Sequence, residues 1–268
     1  MIGTPMQATH DSSCLVRQHF WISGITLLLL LLHGHLLWAG EPTNAIARIE
    51  RIYRATRAEY EAHPDRLETA CAFARACFDR AEFSLQDSGR ATLGKEGIAA
   101  ARRAIFLQST NAAAHYYLGL NIGEVARTKR RSALKLVSDM EQELEIARKL
   151  DEKIDYAGPD RCLGLLYRDA PGWPVSVGSH TKARQRLAHA LDLSPNFPEN
   201  RINMIETYID WDDTTRAAHD AALLDASWSA AKATFSGEAW EASWSDWNDR
   251  WEKIQKKLME KSKPIWHR

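Results

Sequence analysis

The chain has little glycine or proline, 14 and 9 in 268 residues, and no stretch in which apolar and polar residues alternate with period two. Strand-based folds need both the turns and the alternation, so they drop out. Net charge is also missing: 35 Lys and Arg stand against 35 Asp and Glu, mixed along the chain rather than blocked. A general nucleic-acid binder needs a basic face, and this balance argues against one. Common catalytic motifs are absent as well. There is no G-x-S-x-G, no H-E-x-x-H and no phosphate-binding loop, since Gly94-Lys95 lacks the preceding glycine spacing. Asp210-Trp211-Asp212-Asp213 lacks the glycine and distal glutamate of a calcium loop and reads as a helix-capping turn. The expectation is a protein that is not an enzyme, with no catalytic residue, metal or cofactor. Cysteine is scarce: Cys14, Cys71, Cys77 and Cys162, with no pair at zinc spacing. Cys71 and Cys77 are six apart on an expected helix, roughly 9 Å between their Cα atoms and too far for a disulfide. The exported cysteines are expected to be buried, free thiols.

What is present begins with one long apolar run. Phe20 to Trp38 reads FWISGITLLLLLLHGHLLW, preceded by Arg17 and followed by Gly40-Glu41-Pro42. A basic lead, a Leu-rich stretch and a small-residue exit describe a secretory signal, with cleavage expected after Ala39. The run is also nearly long enough to span a bilayer, so a retained N-terminal anchor is the alternative, which His33 and His35 weaken. Both readings keep Arg17 inside and put residues 41–268 outside the cytoplasm as one periplasmic or exported domain. Membrane contact then runs only through residues 20–38, where they are not removed.

After the run, apolar residues recur at helical spacing: Ile46, Ile49, Tyr53 and Tyr60, then Phe73, Ala74, Cys77, Phe78 and Ala81. Helices are expected at 44–63, 68–85, 95–107, 111–127, 128–153, 158–169, 180–193, 197–210, 214–233 and 238–261. Pro64 ends the first, Gly89 the second, and Asn111 caps the fourth.

These helices repeat in pairs. Leu163-Gly164 with Tyr167, followed by Ala183, Leu187, Ala190 and Pro195, has the spacing of a tetratricopeptide repeat. Its small residues let two helices approach closely, and its large ones fill the gaps between hairpins. Leu118-Gly119 with Ile122 begins a second copy, Pro198-Glu199-Asn200 with Tyr208 and Ala217 a third, and Glu68 to Leu107 a more divergent hairpin. The expected fold is an all-α, tetratricopeptide-like helix-hairpin solenoid with a C-terminal capping helix.

Gly158-Pro159-Asp160-Arg161-x-Leu163-Gly164-x-x-Tyr167, then Trp173-Pro174, Gly178, Lys182-Ala183 and Pro198-Glu199-Asn200, resembles the T-component family of TRAP transporters. The resemblance spans roughly residues 44 to 225 and is densest over 156–210. It implies a periplasmic helper in solute uptake, partnered by a TRAP-type solute-binding protein. One departure stands out: characterised members are lipoproteins, whereas Leu37-Trp38-Ala39-Gly40 leads into Glu41 with no cysteine to carry the lipid.

In tetratricopeptide arrays the first helix of each hairpin lines a concave groove that takes a partner. Alignment on Leu-Gly puts Tyr116, Tyr117 and Leu120 on that face, then Arg161, Leu165 and Arg168, then Asn203, Glu206 and Asp210. Arg161 and Arg168 suit a carboxylate, which guanidinium pairs bidentately. Ordinary inter-helix packing is the competing reading. Trp173 sits in an insertion with two prolines and two glycines, Ala170 to Gly178, and suits a stiff contact loop or a cap on the core. Trp240, Trp244, Trp247 and Trp251 fall on one stripe of the last helix, continued by Ile254 and Leu258. That stripe covers the last hairpin or, alternatively, faces a lipid, an apolar small molecule or a second subunit of a homo-oligomer.

Overall fold

A computed structural model of the chain describes residues 44–129 and 133–262, and among these it contains ten α-helices and no strand. The targeting segment, residues 1–40, lies outside the described residues. No described helix is long and apolar enough to cross a membrane.

A leading helix, α1 (Asn44–Ala62), is followed by four hairpins: α2 (Leu67–Glu82) with α3 (Asp87–Leu107), α4 (Ala112–Arg127) with α5 (Ala133–Leu150), α6 (Ile154–Asp169) with α7 (His180–Leu193), and α8 (Pro198–Asp210) with α9 (Thr214–Thr234). A short 3-10 turn, Glu238–Trp240, leads into the closing helix α10 (Glu241–Ser262). The expected all-α hairpin solenoid with a closing helix is the observed fold. Side-chain caps begin α4, α7 and α9: Asn111 accepts from the Ala114 N–H at 2.9 Å, Ser179 from Lys182 at 3.3 Å and Asp213 from Arg216 at 3.2 Å. The acidic turn at Asp210 to Asp213 is thus a helix cap.

The small residues of the repeat do the packing expected of them. A Cβ built on Gly164 would lie 2.6 Å from Leu187 Cγ, so α6 and α7 approach at a point where only hydrogen fits. Ala183, Leu187 and Ala190 are fully buried on the α7 side.

First helices of successive hairpins touch one another: α2 with α4, α4 with α6, α6 with α8, and α8 with α10. They form an inner row, and α3, α5, α7 and α9 form the outer one. That row explains α4, which is buried almost all round from Ala114 to Ala126. Its ends also meet. Arg48 of α1 donates to the Ala239 carbonyl at 3.1 Å, and Arg51 pairs with Glu238 at 3.4 Å.

Two helix boundaries differ from expectation. α3 begins at Asp87, so Gly89 and Gly94 lie inside it, and the turn falls at Phe83 to Gln86, where Arg90 donates to the Ser84 carbonyl at 2.9 Å. α4 ends at Arg127, where the Thr128 hydroxyl donates to the Val125 carbonyl at 2.8 Å, so Thr128 closes α4 instead of opening α5, which is described from Ala133. α6 is bounded at Ile154, but its right-handed part begins at Gly158, as expected, after a turn described below. Cys71 and Cys77 are free, as expected, and burial pushes the Cys71 thiol up to about 11. Cys162 is fully buried in the same core as Cys77.

Candidate functional site

The chain enters α6 through three consecutive left-handed residues, Asp155, Tyr156 and Ala157, with φ of 50°, 53° and 64°. None is glycine, so each costs on the order of 1–2 kcal/mol and needs outside support. Two side chains supply it. Arg161 Nη1 donates to the carbonyls of Asp155 and Tyr156 at 3.1 and 3.0 Å, and Nη2 to the Asp155 carboxylate at 2.8 Å. Asn200, one turn into α8, donates to the carbonyls of Tyr156 at 3.1 Å, Ala190 at 3.0 Å and Ser194 at 3.2 Å, and accepts from Arg161 at 3.1 Å. Tyr116 of α4 adds a hydrogen bond to Asp155 Oδ2 at 2.5 Å. It can come so near because residue 158 is glycine: a Cβ there would lie 2.4 Å from the Tyr116 hydroxyl.

The polar row continues into α8 and α10. Arg250 of α10 holds Glu206 with Nε at 3.0 Å and Nη2 at 2.6 Å, and also donates to Asn203 Oδ1. Glu199 faces Arg161 from 3.8 Å, beyond hydrogen-bond reach. Burial pushes its carboxyl up to about 7, with Arg161 and Arg250 pulling the other way. Burial also works against the charge of Arg161, but Glu199 and Asp155 outweigh it and hold the guanidinium protonated.

These positions correct the expectation of an open groove. Tyr116 and Arg161 are fully buried, Asn203 nearly so, and Tyr117 is 8% exposed against the Tyr116 ring. Arg168, expected as a carboxylate hook, grips its neighbour Asp169 at 2.6 and 2.9 Å and donates to Thr207 at 3.3 Å. Glu206 is taken by Arg250. The structure therefore places Tyr116 and Arg161 in one buried network with Asp155 and Asn200, and Asn203 and Glu206 in a second around Arg250, with Tyr117 and Arg168 packed nearby and Trp173 elsewhere. The inner row stacks directly on itself, and α10 packs on α8 over Asn203 and Glu206. Sequence reasoning missed Asp155, Glu199, Asn200 and Arg250. Glu199 and Asn200 were visible as polar residues between Phe197 and Ile202, a sign of buried polar work.

Trp173 is the opposite case, 88% exposed, with Val175 at 58% beside it. Its loop is pinned at the base: Gly178 N–H donates to the Pro171 carbonyl at 2.9 Å and Ser179 N–H to Tyr167 at 2.8 Å. Val175 N–H donates to Gly172 at 3.0 Å, and Val177 packs on the core. The loop does not cap the core with its tryptophan; it displays it.

The tryptophan stripe closes the end of the array. Trp247 is fully buried against Phe197, with ring centroids 5.3 Å apart, Trp240 packs on Phe235 at 4.9 Å, and Trp244 crosses Trp228 at 5.2 Å. Trp240 lies on Trp247 and Trp251 on Trp228, each pair 5.9 Å apart, and the buried rings of Trp240, Trp247 and Trp251 leave little face for an apolar ligand or a second subunit.

No family model and no curated protein matches the chain. Among solved structures, the crystal structure of MamA is similar, at 18% sequence identity over 81% of this chain and 93% of that one, with a TM-score of 0.43.

Proposed function

We propose that this chain is a non-enzymatic binding scaffold, exported to the periplasm, that docks a TRAP-type solute-binding protein through the Trp173 loop. The observation that carries the reading is Trp173 itself, 88% exposed on a loop closed at its base by backbone hydrogen bonds. A large aromatic ring in water is an unfavourable use of apolar surface unless a partner covers it, and a pinned loop loses little entropy when one does. The class of partner rests on the resemblance of residues 156–210 to the T-component family, and the location rests on the apolar run at 20–38.

The test is a pull-down of the full chain from periplasmic and membrane fractions of its native host, with captured proteins identified by mass spectrometry. The expected result is a stoichiometric solute-binding protein, lost with Trp173→Ala and kept with Phe106→Ala, an exposed control at 78%. Equal capture by Trp173→Ala, or no solute-binding protein at any salt concentration, would overturn the reading. Arg161→Ala is no test of docking, since that side chain lies inside the fold.

A further inference from the structure

Four buried side chains between α6, α8 and α10 have polar atoms with no hydrogen-bond partner in the protein: Arg161 Nε, both carboxyl oxygens of Glu199, Asn203 Nδ2 and Trp247 Nε1. All four residues are at most 2% exposed. Buried polar atoms are rarely orphaned, because each costs on the order of a full desolvation penalty. Five such atoms at one joint are not scatter.

The helix register brings them together. Trp247 lies against Phe197, Arg250 against Asn203 and Glu206, and Lys261 against Asp212, so α10 runs parallel to α8. Glu199 and Asn203 are one turn apart on α8. Trp247 and Arg250 are one turn apart on α10, which sets Trp247 opposite the Glu199 turn. Arg161 closes the third side, 3.8 Å from Glu199 Oε1 and over the Phe197 ring at 5.1 Å. Asn203 has no freedom to flip, since its Oδ1 accepts from Arg250, and its NH2 must find an acceptor elsewhere.

We propose that this joint is a binding site for a small neutral molecule that both accepts and donates hydrogen bonds, held by Arg161, Glu199, Asn203 and Trp247. Three N–H donors demand a guest with acceptor atoms, which excludes a simple ammonium ion. Arg161 and Arg250 stand among four acids, Asp155, Glu199, Glu206 and Asp246, which disfavours an anion. Trapped water and a small hydroxyl or amide compound share the required chemistry. The guest would complete the seam that fixes α10 to α6 and α8, and the left-handed turn at Asp155 to Ala157 makes the Arg161 wall rigid.

A high-resolution crystal structure of the full chain, purified and frozen without polyols, tests this. The expected result is density within about 3 Å of both Arg161 Nε and the Glu199 carboxyl. It should persist in Glu199→Gln, which keeps the shape and hydrogen bonding, and be lost in Glu199→Leu. Mass spectrometry of the denatured wild-type protein separates the sources. A co-purified organic molecule matching the density identifies a captured solute, and its absence identifies water. An empty joint in the wild type, or Arg161 and Glu199 closed into a direct hydrogen bond with Asn203 and Trp247 paired to protein, would overturn the proposal. If Glu199→Leu fails to fold, the wild-type and Glu199→Gln maps still decide.

Discussion

Arg161 grips Asp155 twice, through Nη2 to the carboxylate at 2.8 Å and through Nη1 to the main-chain oxygen at 3.1 Å. One side chain therefore neutralises a buried charge and holds a strained turn. Removing it should leave Asp155 uncompensated inside the protein. Arg161→Ala is expected to cost about 3–5 kcal/mol in urea denaturation. Lysine should not rescue it, because a single ammonium cannot reach the carboxylate, two carbonyls and Asn200 together. A loss below about 1 kcal/mol in either variant would show that the turn stands without this clamp.

Gly158→Ala sets two effects of opposite sign against each other. In an ordinary helix the change gains about 1 kcal/mol of propensity. Here the new methyl would sit 2.4 Å from the Tyr116 hydroxyl, so overpacking should dominate, with a net loss of about 1–3 kcal/mol. Tyr116→Ala in the same chain should reduce the penalty of the added methyl. A melting temperature raised by Gly158→Ala alone would refute the close approach.

Glu199 should make stability depend on pH. Its folded carboxyl is pushed up to about 7 from an ordinary 4.5 by burial, with Asp246 and Asp155 adding to the push and Arg161 and Arg250 opposing it. Folding thus favours the protonated form. This contribution is fully present below about 4.5 and is lost as pH rises through about 7. Glu199→Gln cannot ionise, so the variant should gain on the wild type between pH 5 and 8, by on the order of 3 kcal/mol at the upper end. Denaturation curves of both proteins at several pH values measure the gap, and a gap independent of pH would contradict the assignment.

The two kinds of tryptophan should separate cleanly. Trp173→Ala is expected to stay within about 0.5 kcal/mol of wild type, since an exposed side chain leaves no cavity. Trp247→Ala removes a fully buried ring from among Phe197, Phe235, Trp240 and Trp244, and should cost about 3–5 kcal/mol. Similar melting temperatures for the two variants would mean that α10 does not close the core.

The hairpins were legible because their signals are local. Leu163-Gly164, Ala183, Leu187 and Ala190 announce a close helix pair, and the structure puts Leu187 against Gly164. Asn111 was readable as a cap for the same reason. Reading Arg161 and Glu206 as outward-facing failed because a charged residue on the first helix of a hairpin looks alike whether water or an opposing charge meets it. The spacing that aligned Asn203 and Glu206 on one face was right. What met that face was Arg250, 47 and 44 residues along the chain.

By itself, the sequence determined the helices, their pairing into hairpins and the alignment of the tryptophans on one stripe, because helical periodicity and small-residue spacing act within a few turns. Tertiary structure alone decided which polar residues lie inside. Tyr116 meets Asp155, and Arg161 meets Asn200, across 39 residues each, and α1 touches the 3-10 turn before α10 across 191. Those meetings depend on how successive hairpins stack, and the stacking angle is the sum of many packing contacts that no short stretch of sequence encodes.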